Sequence, residues 1–289
     1  MIYNAEVLIP KQSLLGEGVI WDESRKCIHY VDITGNKIHS YHCIAASFSS
    51  VSTGQSVGCI ALDEDCNLIA MLKNSIAKVD LDIGAIVPLL QLDIADYLRF
   101  NDGKCDCKGR IWVGTMAADS SDKRAPHAGT LYKIENGTNY YPMLNRLTIS
   151  NGIVWNADNT AMYHIDTATQ QIAYFDFDAD TGKIGSKRIA FTVPCSDGAP
   201  DGMTIDRQGM LWVALWGGYK VCRYNPENGQ KLDEINVPAK NVSCCTFGGD
   251  EMNELFITTA MDQENNGGEV YHVKTNTTGF APYKFKGVN

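Results

Sequence analysis

APDGMTIDRQGMLWVALW, residues Ala199–Trp216, is the unit that this chain repeats. It opens on an Asp-Gly pair, Asp201-Gly202, followed by alternating apolar side chains at Met203 and Ile205. A polar turn, Asp206-Arg207-Gln208-Gly209, leads into an apolar run, Met210–Leu215. Alternation, turn and apolar run together read as two antiparallel strands joined by a tight turn. Asp206 anchors that turn and serves as a ruler for the remaining copies.

Asp22, Asp63, Asp106, Asn156, Asp206 and Gly248 occupy equivalent polar turns, separated by 41, 43, 50, 50 and 42 residues. An apolar run follows each one: Cys27–Val31, Leu68–Leu72, Ile111–Gly114, Ala161–Ile165, Leu211–Ala214 and Leu255–Thr258. A period in the forties built from strands is the mark of a propeller blade. The expectation is an all-β, six-bladed β-propeller with four-stranded antiparallel blades around a central channel, one domain over 1–289. A two-sheet sandwich would also supply recurring turns, but sandwiches seldom keep so regular a period. The strand expected at Tyr3–Pro10 would complete the last blade, paired near Tyr283–Lys286, because an open ring leaves an exposed edge.

Composition narrows the function. The net charge of −9 comes without a basic cluster, so nucleic-acid binding has no electrostatic footprint. The opening MIYNAEVLIPKQ lacks a basic stretch backed by an apolar core, and no apolar run approaches the length of a membrane span. A cytoplasmic protein without membrane or nucleic-acid partners is expected. The ten cysteines form no C-x-x-C pair and lie mostly in or beside strands. They read as reduced core residues, with a structural zinc site as the alternative.

Counting five residues back from each anchor gives Glu17, Gly58, Asn101, Asn151, Asp201 and Ser243. None is apolar. In a propeller, equivalent positions recur around the axis, so these side chains should meet at one end of the channel. Buried together and unpaired they would be costly, and a bound divalent cation resolves the cost. Glu17, Asn151 and Asp201 offer only oxygen, which suits a hard cation: Ca²⁺ first, with Mn²⁺, Mg²⁺, Zn²⁺ or Fe²⁺ admissible. Arg99 stands two residues before Asn101, on the same face of an extended strand, as a multi-donor partner for substrate oxygens. The polar segment Ala117–Ala128, carrying Asp119, Lys123 and His127, is long for a hairpin connection and is read as a substrate-facing loop. Asp176-Phe177-Asp178-Ala179-Asp180 resembles the start of a calcium loop, but the twelfth position is Lys187 where an acid is needed, so it is read as a solvated turn.

Together, Gly16-Glu17-Gly18, Arg99-Phe100-Asn101-Asp102-Gly103-Lys104, Gly114-Thr115-Met116, Ser150-Asn151-Gly152, Pro200-Asp201-Gly202 and Phe247-Gly248-Gly249 resemble the gluconolactonase/regucalcin family, which includes the luciferin-regenerating enzymes. The resemblance spans the chain in order. It implies a six-bladed propeller holding one divalent metal and hydrolysing sugar-acid lactones. The implied metal ligands are Glu17, Asn151 and Asp201; the implied substrate contacts are Arg99 and Asn101. Two positions depart: Val19 stands where a proline is common, and Asp119 where some members carry a longer glutamate. The reaction expected is metal-assisted ester hydrolysis of a sugar lactone with Asp201 as general base. No Gly-x-Ser-x-Gly elbow marks a serine hydrolase. Two other functions fit the same scaffold: a non-catalytic calcium-binding regulator, and an interaction platform.

Overall fold

The computed structural model describes residues 1–287, leaving the last two of the expected 1–289 span outside it. Strands and turns dominate, and only two single-turn 3-10 helices occur among the described residues. No helix among them is long and apolar enough to cross a membrane.

The repeats fold as antiparallel four-stranded units. The first comprises Gly16–Asp22, Cys27–Asp32, Lys37–His42 and Ser47–Ser52. The second runs from Val57–Leu62 out to Ile86–Gln91, and the third from Leu98–Cys105 out to Asn139–Leu147. The fourth begins at Ser150–Trp155 and carries a fifth short strand, Lys183–Ile184, inside its longer repeat. The remaining strands form one nine-stranded sheet rather than two separate ones. Its halves, which begin at Ala199–Ile205 and Asn241–Gly248, join through a single register pair, Trp216 with Asn241. Hydrogen bonding therefore gives a propeller-like arrangement with five sheets, not six discrete ones.

The first strand of each unit lies innermost and is almost wholly buried. Each packs on the next, and Asn241–Gly248 returns to Gly16–Asp22 to close the ring. Ring closure draws on both ends of the chain. Glu6–Ile9 pairs antiparallel with Val270–Lys274 as the outer strand of the last unit, and Ile2–Asn4 lies parallel to Lys231–Asn236. The terminal strand thus closes the last unit as expected, but on a different partner from Tyr283–Lys286. That segment instead crosses the end of the channel where the anchor turns lie. There the Phe285 amide donates to Leu62 O at 2.7 Å and the Lys286 amide to Gly109 O at 3.0 Å.

Aspartate anchors share one hydrogen-bond role, seen at Asp22, Asp106 and Asp206. Asp206 Oδ1 accepts from the amides of Gln208 and Met210, folding the turn. Its Oδ2 accepts from Trp212 Nε1 at 3.0 Å and Arg223 Nε at 2.7 Å, tying the turn to the next two strands. Asp106 repeats the pattern with Lys108, Arg110 and Trp112. Asp22 uses Ser24 and Arg25. Burial alone would raise the Asp22 carboxyl, but the His29 ring 3.7 Å away and hydrogen bonds from Ser24 and Arg25 outweigh it and hold the group well below the usual carboxylate range. Aromatic rings pack between units: Trp112 meets Trp155 edge-on at 6.0 Å, and Trp21 stacks on Phe256 at 5.6 Å. All ten cysteines are free thiols.

Replacing Asp206 by alanine strands a fully buried indole N–H and the Nε of Arg223, whose other guanidinium nitrogens keep Asp233 and Gln208. Leaving a buried donor unsatisfied costs about 1–3 kcal/mol for each. Asp206→Ala should therefore lower the denaturant midpoint strongly, and Asp206→Asn, which keeps an acceptor, should lower it less; chemical denaturation of the three proteins measures both.

Candidate metal and substrate site

The five strand-borne residues expected at the site meet in one pocket. Glu17, Arg99, Asn101, Asn151 and Asp201 line a cavity of about 480 Å³ at the channel end opposite the anchor turns, with Ile33, Met116, Ile149 and Trp216 among its walls. Each comes from an innermost strand: Glu17 from the first unit, Arg99 and Asn101 from the third, Asn151 from the fourth and Asp201 from the fifth.

A shared backbone irregularity positions them. Every innermost strand slips register at the recurrent position, which is polar in all but the second unit: between Glu17 and Ile20, Val57 and Cys59, Phe100 and Gly103, Ser150 and Ile153, Pro200 and Met203, and Val242 and Cys244. A bulge turns a side chain that would lie on a sheet face toward the axis instead. The glycines beside these residues serve the same end. A Cβ on Gly152 would come within 2.7 Å of Asp201 O, and one on Gly202 within 2.6 Å of Cys244 Sγ. Asn-Gly and Asp-Gly are therefore not hairpin turns here. They mark where neighbouring inner strands approach too closely for a side chain.

The polar groups form a directed network. Arg99 donates to Asn101 Oδ1 at 2.7 Å and to Phe100 O at 2.9 Å. Asn101 Nδ2 donates to Ser150 O at 2.9 Å and to Asn151 Oδ1 at 3.2 Å. Asn151 Nδ2 in turn donates to Thr167 Oγ1 at 2.9 Å. The carboxylates fare differently. Glu17 Oε2 accepts only the Gly18 amide among protein donors, and Asp201 Oδ1 is buried without a partner. Both residues are 5% exposed.

Burial and like charge govern their ionisation. Burial, with Asp102 nearby, pushes the Glu17 carboxyl up to about 8. Burial, then Glu17 and Asp102, holds the Asp201 carboxyl well above its ordinary range. Burial also brings the Arg99 guanidinium down to about 10. Hard oxygen donors, a carboxylate oxygen without a hydrogen-bond donor and crowded negative charge together fit a divalent cation. No three His, Cys, Asp or Glu side chains converge as a metal cluster among the described residues, and the third oxygen donor here is the amide of Asn151.

Asp119 is not brought into this group. It is exposed, and its Oδ1 accepts from Ser121 N at 2.8 Å and Ser121 Oγ at 2.7 Å, closing a turn within its own loop. Ala118 and Ser120 are the residues of that loop that reach the pocket. His127 is exposed as well, with Nδ1 3.3 Å from Arg146 O. Two residues escaped the sequence reading. Asp102 is 3% exposed with Oδ2 unpartnered, and strict alternation would have sent it away from Asn101. Thr167 follows the strand Ala161–Asp166 and carries no local signal.

A carboxyl raised on folding stabilises the protein at low pH, and that contribution is lost as pH rises through the folded value. In chelator-treated protein, Glu17→Gln and Asp201→Asn should each raise the melting temperature, by more at pH 8 than at pH 5. Thermal denaturation at the two pH values checks the sign.

Comparison with known proteins agrees along almost the full length. Residues 15–261 match the SMP-30/Gluconolactonase/LRE-like region. The chain is 33% identical over 285 residues to YvrE of Bacillus subtilis, provisionally named a sugar lactone lactonase, covering 96% of each protein. It is 31% identical to regucalcin of Danio rerio, covering 90% of this chain and 89% of that one. Among solved structures, a luciferin-regenerating enzyme superposes with a TM-score of 0.91 at 28% identity, over 98% of this chain and 100% of the other. With the matched region spanning most of its length, this chain belongs to the SMP-30/gluconolactonase/LRE-like family.

Proposed function

We propose that this chain is a metal-dependent hydrolase that opens sugar-acid (aldono-) lactones such as glucono-1,5-lactone to the free acid. The observation that carries the reading is Asp201 Oδ1: a buried carboxylate oxygen without a hydrogen-bond donor, in a pocket it shares with Glu17, Asn151 and Arg99. The family match and the name of the Bacillus subtilis relative support the substrate class. The proposed scaffold is one six-bladed domain. In this count the nine-stranded sheet is two blades, a reading supported by the single register pair between its halves. Free cysteines suit a reducing, cytoplasmic setting.

In this reading Glu17, Asn151 and Asp201 hold one divalent cation, Ca²⁺ foremost. Such an ion, when bound, supplies positive charge to a polarised ester carbonyl. The remaining work falls to the chain. Asp201 takes a proton from the attacking water as the water oxygen bonds to the acyl carbon; the ring C–O bond then breaks and that proton passes to the leaving ring oxygen, giving a hydroxyl and the free acid. Arg99 has one guanidinium nitrogen engaged by Asn101 Oδ1 and Phe100 O, which aims the rest of the fork at substrate oxygens. Asn101 has both amide ends committed within the protein, so it acts chiefly by holding Arg99 and Asn151 in place. Ile33, Met116, Ile149 and Trp216 form apolar wall that limits competing water.

Acid release from glucono-1,5-lactone above the spontaneous rate, measured with added Ca²⁺ or Mn²⁺ and again after chelation, tests the assignment. Cation-dependent turnover is expected. Asp201→Asn should lower kcat by about 10²–10⁴-fold, whereas Asp119→Ala should leave KM within about threefold of the parent because its carboxylate is occupied by Ser121. Tight cation binding with no turnover across a lactone panel would instead favour a calcium-binding regulator.

A further inference from the structure

We propose that Thr167 is a positioning residue that fixes which end of the Asn151 amide faces the cation site; the inference rests on the metal site proposed above. Thr167 lines the same cavity, at the start of the 3-10 turn Thr167–Thr169. Its hydroxyl carries one proton. Oγ1 lies 2.8 Å from Pro200 O, and a carbonyl can only accept, so that proton is committed to Pro200. The Asn151 atom 2.9 Å from Oγ1 must then donate, which makes it Nδ2.

The opposite end of the amide gives the same answer independently. Asn101 Nδ2 sits 2.9 Å from Ser150 O, another acceptor, so this end of Asn101 is its NH₂. Arg99 at Asn101 Oδ1, 2.7 Å away, excludes the reverse orientation. The Asn151 atom 3.2 Å from Asn101 Nδ2 must accept, which makes it Oδ1. A flipped Asn151 would set NH₂ against NH₂ on one side and oxygen against a committed hydroxyl on the other. Thr167 and Asn101 thus hold the amide from its two ends, with its oxygen toward Asn101 and its nitrogen toward Thr167.

The same hydroxyl performs a second task. It connects Asn151, on the inner strand of the fourth unit, to the backbone of Pro200, the residue before Asp201 on the fifth. Two of the three proposed ligands are therefore set relative to each other through one side chain. Groups that orient metal ligands in this way commonly change affinity by about 10–100-fold when removed.

Thr167→Val keeps the shape and removes the hydroxyl, whereas Thr167→Ser keeps the hydroxyl. Isothermal titration of the chelator-stripped proteins with Ca²⁺ and with Mn²⁺ reads the effect directly, and thermal denaturation without cation monitors the fold. The expected result is a Kd about 10–100-fold weaker for Thr167→Val and within about threefold for Thr167→Ser, with the two cation-free melting temperatures close together. Thr167→Ala replaces the valine variant if that protein does not fold. Parental affinity in the hydroxyl-free variant, or a fall in melting temperature with no change in Kd, would overturn the role of Thr167 while leaving the metal site standing. Absence of cation binding by the parent protein would overturn both.

Discussion

Two carboxylates held almost dry at the mouth of a channel, one with an oxygen that no protein donor reaches, are the constraint on which this structure turns. Ionised carboxylates are stable in a protein interior when hydrogen bonds or counter-charge replace the water they lose. Glu17 and Asp201 have little of either. Their nearest compensation is Arg99, itself buried and already engaged with Asn101 and Phe100. On the proposed reading a cation would complete the charge balance, and the crowding is what would draw one to the site.

The backbone supplies the crowding by a device repeated in every inner strand. Each slips register at the recurrent position, and glycines at Gly152 and Gly202 let adjacent strands come close enough for their neighbours to converge. Irregular inner strands need rigid support. The anchor turns provide it at the other end, where Asp106 and Asp206 each bind turn amides, an arginine and an indole. Residues 278–286 span those same turns from below, from the Arg207 amide at Thr278 O to Lys286 at Gly109. One end of the channel is locked by hydrogen bonds while the other stays open and polar. A site that needs fixed ligands and a free approach is served by that asymmetry.

Much of this was legible in the sequence, and what was missed has a common cause. The even spacing of Asp22, Asp63, Asp106 and Asp206 announced the repeat because the anchors do the same job in each copy. Counting back from them found Glu17, Asn101, Asn151 and Asp201, which the structure brings into one pocket. Bulges broke the readings that relied on regular alternation. Asp102 was overlooked because an ideal strand would turn it away from the side that carries Asn101. Asp119 looked available by position alone, yet its carboxylate is taken up by Ser121. Thr167 was invisible because its importance comes from Pro200 and Asn151, distant in sequence and joined only by the fold. The terminal strand was expected from closure, but which strand it meets depends on where the last turns run.

Anomalous diffraction from crystals grown with Mn²⁺ addresses the central claim without reference to turnover. A single strong peak bounded by Glu17, Asn151 and Asp201 is the result this account predicts. A peak elsewhere on the molecule, or none at the channel mouth with the cation well above millimolar concentration, would contradict it.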